Sequence, residues 1–192
     1  MSSTNRGAQR RADDFYETPA WVTRAIVPYL ALCACDTVLD PCAGRGALLR
    51  GIRAQVLPGS RVEFRGLELD ADRAACCLAH GLDGVEVADA LVAPWPAHRV
   101  CVMNPPFSLA LEFVQRALDH ADASGTVAAL MRLAMLASQK RASFWRACPA
   151  DVYVLPKRPS FTGDGRSDSA DYAWFVWGPG RGGRWRVLDV AP

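Results

Sequence analysis

At 192 residues and 51% hydrophobic content, the chain suits one domain with a sizeable core rather than two. Seven cysteines, an odd number with no Cys-x-x-Cys pair, argue against a disulfide framework or a zinc site, and the three histidines are scattered. The formal charge is only +2, yet residues 132–192 hold 10 Lys and Arg against 5 Asp and Glu, a net of +5 that suits contacts to phosphate.

The opening segment, Met1 to Arg11, is polar and does not read as a signal peptide, so a cytoplasmic protein with a disordered arm over residues 1–12 is expected. The longest apolar run, near Ala25 to Cys35, is too short and proline-broken to span a membrane. Between them lies Phe15-Tyr16-Glu17-Thr18-Pro19, where Thr18 at N-cap and Pro19 at the first helical position predict a helix to about Leu30. The aromatic pair before it also fits a hydrophobic staple.

Val38-Leu39-Asp40-Pro41-Cys42-Ala43-Gly44-Arg45-Gly46-Ala47-Leu48-Leu49 reads as a buried strand, a glycine turn and a helix start. Gly44 and Gly46 can take positive φ and let the backbone approach a ligand, with free N–H groups at the helix start. Leu49 stands where a dinucleotide fingerprint would have its third glycine, which disfavours a pyrophosphate cofactor. A second strand over Val62 to Asp70 ends in acid: Glu68 can accept two ribose hydroxyls, while Asp70 suits the cap of the next helix. Val85 to Ala90 predicts a third strand, with Asp89 at its end.

The apolar run Val100 to Met103 predicts a fourth strand, and Asn104-Pro105-Pro106-Phe107 follows at its carboxyl end. Two prolines have no backbone donors and fixed φ, so this turn is stiff and its carbonyls can accept hydrogen bonds. An amide and an aromatic ring at that place form a pocket for a planar amine. A helix over Leu109 to Ala121, a buried strand over Thr126 to Met131 and a helix from Ser138 to about Cys148 come next. Strands at Asp151 to Leu155 and Tyr172 to Trp177 have no helix between them and imply an antiparallel pair at the sheet edge; a final strand is expected over Arg184 to Val190. The connector from Lys157 to Ser169 is polar and glycine-rich, with a lone Phe161 among basic and hydroxyl groups.

Asn104 to Phe107 resembles motif IV of the class I S-adenosylmethionine-dependent amino-methyltransferases, which act on adenine amines in DNA or RNA or on protein glutamine. The stretch around Asp40 to Gly46 is similar to their motif I, and Phe15, Tyr16 and Thr18 fall in the segment matching motif X, which closes over the methionine part of the cofactor. The tail after Met131 resembles small phage- and prophage-encoded DNA adenine methyltransferases.

The resemblance implies an α/β, Rossmann-like fold: a seven-stranded, mostly parallel sheet of order 3-2-1-4-5-7-6, with an antiparallel edge hairpin and helices on both faces. It implies S-adenosylmethionine as cofactor, held by Phe15, Tyr16, Thr18, Asp40, Cys42, Gly44, Gly46, Glu68, Asp89 and Asn104. The implied catalytic residues are Asn104, Pro105, Pro106 and Phe107, without a metal. Lys140, Arg141, Lys157, Arg158, Phe161 and Arg166 are the candidates for contacting DNA or RNA.

Only 85 residues follow Phe107, and the remaining elements consume nearly all of them, so residues 13–192 are expected to form one methyltransferase domain without a target-recognition domain. Recognition would then come from the Lys157–Ser169 loop, the N-terminal arm or a partner chain. A protein-glutamine methyltransferase is the alternative; such enzymes usually carry tyrosine at the position of Phe107. A non-catalytic cofactor-binding partner of a larger enzyme is the third reading.

Overall fold

Short apolar runs alternate with amphipathic stretches, and the chain folds accordingly into a β-α-β path; the computed structural model describes residues 17–161 and 168–189. In chain order the elements are α1 (Ala20–Ile26), β1 (Thr37–Asp40), α2 (Ala47–Arg53), β2 (Glu63–Glu68), α3 (Ala71–Ala79), β3 (Val85–Val87), β4 (Val100–Met103), α4 (Ala110–His120), β5 (Thr126–Arg132), α5 (Ala142–Ala147), β6 (Asp151–Val154), β7 (Tyr172–Trp177) and β8 (Trp185–Val187). The expected disordered arm, Phe15, Tyr16 and Arg166 lie outside the described residues.

The strands form one sheet of order β3-β2-β1-β4-β5-β7-β6-β8. Its first seven positions follow the order implied by the family resemblance, and β8 adds an eighth strand, paired parallel to β6. The β6–β7 hairpin therefore lies one strand inside the edge. Asp151, at the start of β6, accounts for this: its carboxylate accepts the backbone N–H groups of Gly182 and Arg184 and the Arg184 guanidinium, which returns the chain alongside β6. Strand β7 runs antiparallel to β5 and β6, while the other described pairs are parallel.

Every residue of β4 and β7 is buried, as expected for strands covered on both faces. Side chains at alternate positions divide between two cores. Val100, Val102, Leu130, Trp174 and Val176 meet α1, α2 and α3 on one face. Cys101, Met103, Met131, Phe175 and Trp177 meet α4 and α5 on the other. Among the described residues, no helix is long and apolar enough to cross a membrane.

Two helix readings change. Helix α1 ends at Ile26 and passes into a 3-10 turn over Val27–Tyr29, because Pro28 has no N–H to continue the α ladder. Pro19, in extended conformation, is the N-cap, and Thr18 provides no side-chain cap. Ser138 caps only a 3-10 turn, Gln139–Arg141, by accepting the Lys140 N–H, and α5 begins after it. Asp70 does cap α3, accepting the Arg73 N–H. Gly46 starts α2 with φ of 78°, and a Cβ there would stand 2.4 Å from Leu82 Cδ1, so glycine is what lets α2 approach the chain after α3.

Candidate functional site

Beyond the carboxyl ends of β1, β2 and β4 opens a cleft of about 350 Å³, a volume in the range of small-molecule sites. Its wall includes Thr18, Asp40, Cys42, Gly44, Glu68, Asp89 and Asn104, so seven of the expected cofactor residues converge there. Pro106 also lines it. Gly46 lies behind the wall, in the helix-packing position described above.

Asp40 ends β1 with 1% of its surface exposed. Its carboxylate accepts the Cys42 N–H at 3.1 Å and the Cys42 thiol at 3.5 Å. Burial pushes its pKa up from the ordinary 3.8 to about 7, against the lowering by the Cys42 bonds, and the nearby charge of Glu68 adds to the rise. Burial also holds the Cys42 thiol well above its usual range.

Glu68 ends β2, buried at 6% exposure, and its carboxylate accepts three hydrogen bonds: from Gly44 N–H at 2.7 Å, Asp70 N–H at 3.0 Å and Arg73 Nε at 2.9 Å. Asp89 is exposed, and its carboxylate accepts the Leu91 N–H at 2.9 Å, stabilising its own turn on the cleft wall.

Asn104 stands at the end of β4 with its Nδ2 donating to Thr18 Oγ1 at 3.1 Å. That bond, between residues 86 apart in sequence, fixes the orientation of the amide and explains why Thr18 is buried rather than capping α1. Pro105 is buried, and the Pro106 carbonyl accepts the Leu109 N–H at 3.0 Å, so the turn is closed by its own backbone.

Two aromatic candidates sit apart from the cleft wall. Phe107 does not line the cleft; its ring packs on Tyr172 at 5.7 Å, and the Arg132 guanidinium carbon lies 4.1 Å from its centroid. Phe161 is buried at 8% exposure with its ring 5.1 Å from Tyr172, so it belongs to the core rather than to an open nucleic-acid surface. Burying a phenylalanine stabilises by roughly 1.5–3 kcal/mol, and the ring takes that gain against Tyr172.

Three of the basic candidates are also engaged within the chain. Arg158 pairs with Asp171 at 2.8 Å, Arg141 donates to the carbonyls of Ala134, Met135 and Ala137, and Lys157 Nζ lies 5.0 Å from the Trp21 ring centroid. Lys140 is exposed. Arg73 was not singled out by the sequence, although the Glu68-x-Asp70-x-x-Arg73 spacing, a strand-end acid with an arginine in the next helix's first turn, was a readable signal.

The donor set fits an adenosine-based cation: a glycine turn, acids at the ends of β1 and β2 and a third acid after β3 face one cleft. Among the described residues, no cluster of three His, Cys, Asp or Glu could hold a metal. A bound cation would favour ionised Asp40, so a cationic cofactor such as S-adenosylmethionine, if bound here, should release a proton below about pH 7 and bind more tightly as pH rises toward that value. Calorimetry in two buffers of different ionisation heat should show proton release at pH 6 and little at pH 8; affinity flat across this range with no buffer dependence would contradict it. The sign for stability is opposite. With its folded pKa raised, Asp40 contributes stability that is full below 3.8 and lost as pH climbs through about 7.

No protein-family profile and no curated protein matches the chain. Solved structures do. A type I restriction-modification system methyltransferase subunit from Streptococcus thermophilus superposes with a TM-score of 0.73 at 19% identity, over 89% of this chain and 46% of that one. The type I restriction enzyme EcoKI M protein gives 0.65 at 20% identity, over 86% and 44%. A protein assigned to the class I S-adenosylmethionine-dependent methyltransferases, from Listeria monocytogenes, gives 0.70 at 14% identity, over 96% and 68%. The chain thus spans about half the length of the two restriction-modification proteins. With the strand order and the cleft at the sheet's carboxyl edge, these likenesses show that the chain has the Rossmann-like α/β fold of the class I methyltransferases.

Proposed function

We propose that this protein transfers a methyl group from S-adenosylmethionine to the exocyclic amine of adenine in nucleic acid, with DNA favoured over RNA. One observation carries the reading: Asn104, its amide oriented by Thr18, lines the same cleft as Asp40, Gly44 and Glu68. An amine acceptor group and a nucleoside-cation site thereby share one cavity.

When bound, S-adenosylmethionine supplies a methyl group already activated by its sulfonium centre. The chain's own task is orientation. Glu68 would hold the ribose hydroxyls, and an ionised Asp40 would favour the cofactor's positive charge. The Asn104 side-chain oxygen and the Pro105 carbonyl accept the two amine hydrogens, drawing the nitrogen from planar toward tetrahedral geometry. No strong base is needed, because the amine proton becomes acidic as the methyl arrives and leaves to water. A duplex substrate must first present an extruded adenine, at a cost of a few kcal/mol that a single strand largely avoids.

DNA is favoured by the phage-like tail and by neighbours that include methyltransferase subunits of restriction-modification systems. One of those neighbours is a subunit of a larger system, which is compatible with target recognition by a partner chain here, and the Lys157–Ser169 connector is the internal alternative. A glutamine amide as acceptor is the second reading. It is favoured by the placement of Phe107 outside the cleft and by the internal pairing of Arg141 and Arg158, which removes support for a base-stacking, phosphate-binding face. Incubation with methyl-labelled cofactor and, separately, unmodified DNA, RNA and protein extract separates them. Label is expected in DNA; label confined to protein would replace the reading with the glutamine one, and label in none of the three would overturn both.

A further inference from the structure

Residues 68 to 73 form a closed hydrogen-bonded loop at the nucleoside end of the cleft. Asp70 Oδ1 accepts the Arg73 N–H at 2.9 Å, which fixes the backbone of Arg73 in the first turn of α3. The Arg73 side chain then turns back so that its Nε donates to Glu68 Oε1 at 2.9 Å, and the Asp70 N–H donates to the same oxygen at 3.0 Å. Gly44 N–H holds the other carboxylate oxygen at 2.7 Å. Glu68 and Arg73 both line the cleft, and their side chains are only 7% and 15% exposed.

Of the three donors, two belong to the backbone of the turns that build the cleft. Arg73 is the third, and the one side chain among these donors. A glutamate reaches its ligand through three rotatable bonds, and fixing them beforehand removes an ordering cost at the moment of binding. A guanidinium suits this role better than an ammonium, because its planar Nε–H sets direction as well as charge.

We propose that Arg73 is a positioning residue that clamps Glu68 in the orientation that accepts a ribose diol, and so sets the preference of the cleft for a ribonucleoside cofactor over its 2′-deoxy form. This rests on the reading of Glu68 as the diol acceptor. Arg73 acts through Glu68 and need not touch the ligand.

The test compares dissociation constants for S-adenosylhomocysteine and its 2′-deoxy analogue by calorimetry. The wild-type protein is expected to prefer the ribose form by at least tenfold. Arg73→Ala should bring the two affinities within about threefold of each other, chiefly by weakening the ribose form, since the hydrogen bonds lost are those a diol would make. Arg73→Lys keeps the charge without the planar donor and should retain an intermediate preference, which keeps the proposal testable if the alanine variant folds poorly. A preference in both variants equal to that of wild type, with the two affinities falling together, would overturn the proposal and leave Arg73 as an ion pair of the fold. A wild-type protein that binds the two ligands equally, or neither, would instead remove the reading of Glu68 itself, and the proposal with it.

Discussion

Asn104→Ala should lower methyl transfer by about a hundredfold or more while leaving S-adenosylmethionine affinity nearly unchanged. The expected loss is electrostatic in origin. One preorganised hydrogen-bonding group at the reacting atom is comparable to a lost oxyanion donor, at ~2.7–4 kcal/mol of transition-state stabilisation. The amide is held in advance by Thr18 Oγ1 at 3.1 Å, so little ordering is left for the reaction to supply. Thr18→Val, which removes that hydroxyl, should give a smaller loss in the same direction. Turnover measured at saturating cofactor, alongside calorimetric affinity, checks both. An alanine variant with wild-type turnover would reduce the Asn104–Phe107 stretch to a structural turn.

Trp174→Ala should destabilise the fold by ~3–5 kcal/mol, a large fraction of the roughly 5–15 kcal/mol that holds a domain together. Trp174 is fully buried in β7, between Leu130 of β5 and Tyr153 of β6, and its Nε1 donates to the Val22 carbonyl of α1 at 3.1 Å. It therefore fastens α1 to the sheet. Thr18 lies just before that helix, so the same substitution should loosen the Thr18–Asn104 contact. Trp174→Phe keeps most of the apolar area and loses the indole donor, and should cost about 1–2 kcal/mol. Denaturant midpoints of the three proteins decide the matter; equal midpoints for wild type and the alanine variant would contradict the assigned core.

The sequence was legible where one local rule decided the outcome. Val100–Met103 and Tyr172–Trp177 are strands at the residues expected, because an unbroken apolar run covered on both faces has few other solutions. Asp70 caps α3 as its place before Ala71 suggested. The glycine turn and the strand-end acids fell into one cleft because parallel β-α units present their carboxyl ends together.

What stayed hidden depended on contacts distant in sequence. Thr18 had a cap's credentials, yet Asn104 claims its hydroxyl. Phe161 sat among polar neighbours in a loop and looked like a contact residue, but Tyr172 buries it. The net charge of the last third carried no positions: Arg158 lies against Asp171 and Arg184 against Asp151, each at 2.8 Å, so these two arginines are neutralised in place rather than gathered on an open face. Arg132 counted in the sequence only as one of the basic residues available to phosphate; its place over Phe107 depends on β5 extending three residues past the level where β4 ends.

The most direct measurement is the identity of the methylated product. Unmodified DNA incubated with the protein and methyl-labelled S-adenosylmethionine, then digested to nucleosides and separated, should carry its label in N6-methyldeoxyadenosine, at a rate about a hundredfold or more lower when Asn104→Ala replaces the wild type. Label in a methylated cytosine or thymine, or in no nucleoside of DNA or RNA, would contradict the assignment of this cleft to the adenine amine.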